Sequence, residues 1–100
     1  MNYNKPKEAR IKKIKEGFVL RKVSEAYVVI AVGEAAKNFG GMITLNSTGA
    51  FLWEKLSQGC ETKKQLVDAL LEEYDVAGEI ASADVDKFVE KLEKASLIEN

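Results

Sequence analysis

The hydrophobic pattern of this chain changes its period at Asn46. Before Asn46, three short runs are rich in β-branched and apolar residues, which is typical of β-strands: GFVLRKV from Gly17, YVVIAV from Tyr27 and MITL from Met42. After Asn46, apolar residues recur at spacings of three and four, which is typical of helices. Strands followed by consecutive helices predict a small α+β domain.

The first two runs predict a β-hairpin, because the Ser24-Glu25-Ala26 segment between them can form a tight turn. The segment GEAAKNFGG, which starts at Gly33, is predicted to be a loop, since it has breaking residues at both ends. Gly40-Gly41 is a candidate bulge where the third strand begins. The order of the three strands within the sheet is left open.

The first predicted helix spans residues 47 to about 57. Asn46 is a favoured N-cap, and Leu45 before it can pack on Ala50 as a hydrophobic staple. Gly59 is well suited to the left-handed conformation that ends many helices.

Two more helices are predicted from their capping residues. Thr62 and Gln65 have the spacing of a capping box, and the second helix fades at residues 75–78. Ser82 can cap the third helix, in which apolar residues recur at helical spacing: Val85, Phe88, Val89 and Leu92. A three-stranded antiparallel sheet followed by three α-helices is of the winged helix-turn-helix type.

Length and composition limit the class of protein. A chain of 100 residues with 46% hydrophobic residues suits one domain. The longest apolar run, from Tyr27 to Val32, is too short to cross a membrane, and no apolar N-terminal segment fits a signal peptide. Cys60 has no second cysteine to pair with, and we interpret it as a packed or half-exposed thiol. We therefore expect a cytoplasmic protein that has no membrane partner.

Histidine is absent from the chain. Its absence removes the commonest general base, the usual metal ligand and the partner that activates catalytic Ser or Cys. The carboxylates are scattered over predicted helix surfaces, and Gly40-Gly41 lacks the Lys and Ser/Thr of a phosphate-binding loop. We therefore predict that the protein is not an enzyme, with no catalytic residue, no metal and no cofactor. A small enzyme that uses a Lys or a carboxylate is the weaker alternative.

The net charge of −1 conceals a basic N-terminal part and an acidic C-terminal part. Residues 1–22 carry eight Lys or Arg and two Glu, whereas residues 62–100 carry five Lys and ten Asp or Glu. Residues 1–16 contain few apolar side chains and are predicted to be a flexible basic N-terminal arm, with the domain spanning residues 17–100. The arm is either a solvated tail or an electrostatic contact with a partner or nucleic acid.

Five segments of the chain form a specific pattern when they are taken together: GFVLRKV, YVVIAV, MITLNSTGAFLWEKL, TKKQLVDALLEEYDV and DVDKFVEKLEKASLIEN. From about Gly17 to Ile98 this pattern resembles the PqqD-like family, named for coenzyme PQQ synthesis protein D. The resemblance implies a winged-helix-like RiPP recognition element. Such a domain is non-catalytic and binds the leader of a ribosomally made precursor peptide, while a partner, often a radical SAM enzyme, modifies the peptide.

The resemblance also implies a site between the third strand and the third predicted helix. A leader would add a β-strand along Met42, Ile43, Thr44 and Leu45. Candidate residues on the facing helix are Val85, Phe88 and Val89 for apolar pockets, and Lys87 and Lys91 for an acidic leader. For Phe88 and Val89 a plain core role is an equal alternative, and for the lysines the alternative is a solvated helix face.

Two further questions stay open at this point. The second strand YVVIAV and the segment SQGCET depart from the pattern of the PQQ pathway proper, so the peptide is either the PQQ precursor or another natural product, such as a thioether-bridged or lasso peptide. The alternative function is a winged-helix DNA-binding protein. We expect no nucleic acid partner, because residues 82–96 hold four acidic residues against three lysines.

Overall fold

The computed structural model describes residues 10–11, 13–38 and 41–98. Within these residues, three strands form an antiparallel sheet in the order β1-β2-β3: β1 (Phe18–Val23), β2 (Ala26–Ala31) and β3 (Ile43–Leu45). The predicted hairpin is confirmed, with Val23 paired to Ala26 across a two-residue turn in which Ser24 has a positive φ of 58°. The sheet order makes β3 an edge strand.

In the part of the chain that the structure describes, four helices accompany the sheet: α1 (Ala35–Asn38), α2 (Ser47–Ser57), α3 (Lys63–Glu73) and α4 (Gly78–Lys94). The last three are the predicted helices, so the predicted fold class is confirmed. The prediction of a loop over residues 33–41 was wrong in part, since α1 lies within it. A helix of four residues is too short to show a helical period in the sequence. The proposed bulge involves Gly40, which lies outside the described residues.

The predicted caps of α2 and α3 are confirmed. Asn46 Oδ1 accepts a hydrogen bond from the Gly49 amide at 2.8 Å. Thr62 and Gln65 form the full capping box, because the Thr62 side chain accepts from the Gln65 amide and the Gln65 side chain accepts from the Thr62 amide. Gly59 has a φ of 124° and follows the last turn of α2, as predicted.

Helix α4 begins five residues earlier than predicted, with its N-cap at Ala77 instead of Ser82. Its N-cap is Ala77, which provides no side-chain hydrogen bond, and Ser82 lies inside the helix rather than capping it. Ala81 is fully buried in the core. The burial of Ala81 provides a physical reason for the early start, since tertiary packing can stabilise a helix turn that lacks a cap.

The core lies between the sheet and the helices. It contains the apolar faces of β2, β3, α2, α3 and α4 together with the end of the chain: Val29, Leu45, Leu52, Trp53, Leu56, Leu66, Leu70, Ala81, Val85, Phe88, Val89, Leu92, Leu97 and Ile98. Cys60 is half-buried and packs against this core, in agreement with its predicted packing.

Part of the basic arm contacts the folded domain. The Ile11 amide donates to the Glu61 carbonyl at 2.6 Å, and the Lys15 amide donates to the Leu97 carbonyl at 2.8 Å. Ile11 and Ile14 also pack against the core. These contacts place the start of the folded chain before Gly17, whereas residues 1–9 of the predicted arm lie outside the described residues and their flexibility stays a prediction.

Within the described ranges, no helix combines the length and the apolar character that a membrane span requires.

Candidate functional site

A pocket lies where the end of β3 meets the start of α2 and one face of α4. Its volume is about 180 Å³, and its walls come from all three elements: Leu45, Asn46, Thr48, Gly49, Leu52, Asp84, Lys87, Phe88 and Lys91. The lining residues from β3 and α2 are about 40 positions away in the sequence from those of α4. Packing of α4 beside the edge strand therefore creates the pocket.

The pocket combines apolar walls with charged groups. Leu45, Leu52 and Phe88 are apolar and no more than 4% exposed. Lys87 and Lys91 are exposed, and Asp84 is half-buried. The site can therefore hold an apolar side chain while charged groups lie beside it.

The start of α2 positions the side of the pocket nearest to β3. The chain passes directly from the strand at Leu45 to the N-cap at Asn46, so the helix begins beside the strand end. Gly49 contributes no side chain, and a Cβ atom at this position would lie 3.3 Å from Asn46 Oδ1. The capping bond and the absence of a side chain at Gly49 together allow strand, cap and helix to pack closely.

Helix α4 presents one stripe to the pocket. Asp84, Lys87, Phe88 and Lys91 are spaced three or four residues apart, and they therefore lie on the same side of the helix. Asp86 belongs to another side, because it forms an ion pair with Lys63 of α3 at 3.1 Å. The lysine flank and not the Asp86 flank thus borders the pocket.

One bond joins α4 directly to the edge strand. The Lys91 ammonium donates to the Thr44 carbonyl, with 2.6 Å between Nζ and the oxygen. The two residues are 47 positions apart in the sequence. Lys91 thus reaches from the helix to the backbone of β3.

The structure brings together four of the residues predicted for the site and places the others around them. Leu45, Lys87, Phe88 and Lys91 line the pocket. Thr44 joins them through its carbonyl, Met42 is 64% exposed, and Ile43 is half-buried against the core. Val85 and Val89 are core residues and do not line the pocket. Phe88 belongs to both, since it lies in the core and also lines the pocket.

Five pocket residues were not among those predicted for the site: Asn46, Thr48, Gly49, Leu52 and Asp84. The N-cap signal at Asn46 had located the start of α2 beside the strand end. It could have indicated that the first turn of that helix faces the same groove. Asp84 carried a weaker signal, its spacing of four residues from Phe88.

No group of three or more Cys, Asp or Glu side chains among the described residues is arranged to hold a metal ion.

The fold and the site together define a small α+β domain with an edge strand, a facing helix and, between them, a pocket that combines apolar and charged groups. The chain belongs to the family described as Coenzyme PQQ synthesis protein D (PqqD), whose model matches residues 21–98. The family predicted from the sequence is therefore confirmed. The detailed likeness to a winged helix stays a prediction.

Two solved structures share the fold. One is TbiB1 in complex with the TbiA(beta) leader peptide; it is 23% identical to this chain, has a TM-score of 0.68, and the match covers 88% of this chain and 95% of that chain. The other is lasso peptide synthetase B1 complexed with the leader peptide, at 17% identity and the same TM-score, with coverage of 88% and 96%. No curated protein sequence matches this chain at a significant level.

Proposed function

We propose that this protein binds the leader of a ribosomally made precursor peptide and presents the peptide to a modifying enzyme. The leader adds as a strand to the free edge of β3 and packs against α4. The observation that carries the proposal is the pocket of about 180 Å³ between the edge strand and the lysine-bearing face of α4. Family membership and the two leader-bound structures of the same fold support it.

A stable complex requires apolar contacts in the pocket as well as backbone hydrogen bonds at the edge strand. A backbone hydrogen bond contributes about 1 kcal/mol net, and β3 is only three residues long. A micromolar complex needs about −8 kcal/mol after the cost of association. Burial of one large apolar side chain adds about 1.5–3 kcal/mol, so an anchor residue of the leader in the pocket contributes as much as two or three backbone bonds.

The protein has no chemistry of its own in this proposal, and its partner supplies the catalytic groups. A radical SAM enzyme is one candidate partner, and another peptide-modifying enzyme is the alternative. The complex acts in the cytoplasm, where ribosomal peptides are made. The leader-bound structure of lasso peptide synthetase B1 favours a peptide natural product of that general kind, while the family description favours the PQQ precursor.

DNA binding is the other function considered, and the charge of α4 opposes it. The helix carries Asp84, Asp86, Glu90 and Glu93 on its surface, which would repel phosphates. A mobility-shift assay with random duplex at low salt is the test. We expect no retardation, and tight binding that weakens steeply with salt would favour the DNA function.

The leader-binding proposal is tested with a peptide array. Overlapping 15-residue peptides are synthesised from the short reading frames beside this gene, labelled, and titrated by fluorescence anisotropy. We expect one segment to bind with a micromolar or lower Kd. No binding to any peptide of the array would contradict the proposal.

A matched pair of variants locates the site. Thr48 lines the pocket, whereas its neighbour Ser47 is exposed and lies outside the lining. Thr48→Trp fills the pocket and should weaken binding at least tenfold. Ser47→Trp adds the same indole beside it and should change the Kd by less than twofold. Thermal unfolding of both variants checks that they fold.

A further inference from the structure

The bond between Lys91 and Thr44 occupies part of the edge at which a leader would pair. Lys91 is exposed, and its ammonium lies 2.6 Å from the Thr44 carbonyl oxygen. Thr44 is the central residue of β3. Its carbonyl is therefore the acceptor nearest to the middle of any strand added there.

The geometry of a β-strand defines the direction of this carbonyl. Successive residues direct their backbone groups to opposite edges, so Ile43 and Leu45 share one edge and Thr44 serves the other. Lys91 belongs to α4, which is not part of the sheet, and it reaches Thr44 from outside the sheet. Ile43 and Leu45 then serve β2, and the backbone of Thr44 faces the free edge.

We propose that Lys91 is a removable guard of this edge: it caps the Thr44 carbonyl in the peptide-free protein and is displaced when a leader strand pairs there. The inference rests on the proposed function. Lysine side chains at strand edges commonly prevent unwanted strand pairing, because another strand must displace the charged group before it can form backbone hydrogen bonds. Since both groups are accessible to water, the bond can be exchanged.

Displacement makes the edge selective. A generic extended peptide gains little at Thr44, because its amide only replaces the bond that Lys91 already makes. A leader that also fills the pocket gains the apolar contacts, and the released ammonium stays on the pocket wall, where a leader carboxylate can pair with it. Lys91 thereby determines which extended peptides bind, in addition to protecting the edge.

Lys94 is the matched control for Lys91. It lies three residues further along α4, is also exposed, and is outside the pocket lining, where it forms an ion pair with Glu90 at 3.4 Å. Substitution of either lysine by methionine removes one charge and leaves a side chain of similar length, but only Lys91→Met frees the Thr44 carbonyl.

The test measures binding of the tightest 15-residue peptide from the array in 1 M NaCl, where the screening length is about 3 Å and general charge attraction is suppressed. We expect Lys91→Met to bind this probe about threefold to tenfold more tightly than the unchanged protein, which corresponds to one released hydrogen bond. The affinity of the control variant Lys94→Met should stay within twofold of that of the unchanged protein. Equal affinity of the two variants, or weaker binding by Lys91→Met, would contradict the proposal that Lys91 protects the edge of β3.

A direct measurement follows the ammonium groups by ¹⁵N NMR. In the peptide-free protein, the Lys91 ammonium protons should exchange with water more slowly than those of Lys87, and saturation with the probe should remove this protection. Protection that persists in the complex would overturn the guard while leaving the leader-binding function intact. If no array peptide binds the protein or its variants, both the proposed function and the proposed role of Lys91 are contradicted.

Discussion

Gly49 packs directly against Leu45: a Cβ atom at Gly49 would lie 3.2 Å from the Leu45 Cβ atom and 3.3 Å from its Cδ2 atom. Leu45 is buried and paired with Tyr27 across the sheet, so its Cβ atom has little freedom to move away. The first turn of α2 therefore depends on glycine at a position where helix propensity alone favours alanine.

Gly49→Ala should destabilise the protein by about 1–2 kcal/mol, because crowding against Leu45 exceeds the gain in helix propensity. Gly78 at the start of α4 is the control, since a Cβ atom there meets nothing within 4 Å. Gly78→Ala should stabilise by about 0.4–1 kcal/mol. Urea unfolding followed by circular dichroism measures both. A Gly49→Ala protein as stable as Gly78→Ala would show that Leu45 can move.

Ser96→Gly should stabilise the protein by about 0.5–1 kcal/mol. Ser96 has a φ of 61°, and the amides of Ser96 and Leu97 donate to the Glu93 and Leu92 carbonyls, as in a Schellman motif. Glycine adopts this conformation without strain. Ser82 lies within α4 at an exposed position, so Ser82→Gly should instead destabilise by about 0.5 kcal/mol. Thermal unfolding should show a raised melting temperature for Ser96→Gly and a lowered one for Ser82→Gly. Changes in the same direction would contradict the prediction.

Removal of residues 1–15 should destabilise the domain by about 2–3 kcal/mol, because it exposes the surfaces covered by Ile11 and Ile14. It also removes the backbone bonds from Ile11 and Lys15. Removal of residues 1–9 alone retains these contacts and should change the stability by less than 0.5 kcal/mol, about the limit for surface changes. Denaturant unfolding compares the two truncations. Equal stabilities would mean that the contacts of residues 10–15 contribute nothing measurable.

Methylation of single amide nitrogens in the bound leader should weaken binding at alternate positions. Only every second amide of an added strand faces the sheet edge, and each lost bond should cost about 1–3 kcal/mol where its acceptor is left unpaired. Isothermal titration of the methylated peptides measures the pattern. Sensitivity at spacings of three and four would indicate a helix in the groove instead, and would exclude strand addition for this protein.

Charge reversal at Lys87 and Lys91 tests the orientation of α4 towards the peptide. If the bound leader is acidic, Lys87→Glu together with Lys91→Glu should weaken binding and reduce its dependence on salt. Asp86→Lys changes the opposite flank, which pairs with α3, and should leave the salt dependence of binding nearly unchanged. Titrations at several NaCl concentrations make the comparison. Identical salt dependence in both variants would exclude a role of the lysine flank.

Local signals in the sequence determined most of the secondary structure. The caps at Asn46 and Thr62 act over three residues, through a side-chain oxygen and the amides of Gly49 and Gln65. The β-branched runs and the two-residue turn determined the hairpin in the same way. Such contacts form between near neighbours, so the residue types alone can reveal them.

Two elements depended on packing that local signals do not contain. Helix α1 has only four residues, which is too few for a periodic pattern. The first turn of α4 lacks a side-chain cap and is accompanied by the full burial of Ala81. A sequence shows which residues are apolar, but it does not show which partner will cover them.

The site shows the same division between sequence and tertiary structure. The helical stripe of α4 was predicted from the sequence, including both Val85 and Phe88 as candidates for the pocket. Only the packed structure separates them, since both lie in the core but only Phe88 also lines the pocket. The bond from Lys91 to Thr44 spans 47 positions of the sequence. The sequence determined the chemistry of these side chains. The packing of α4 beside β3 decided which of them meet, because the distance between these two elements depends on the whole core.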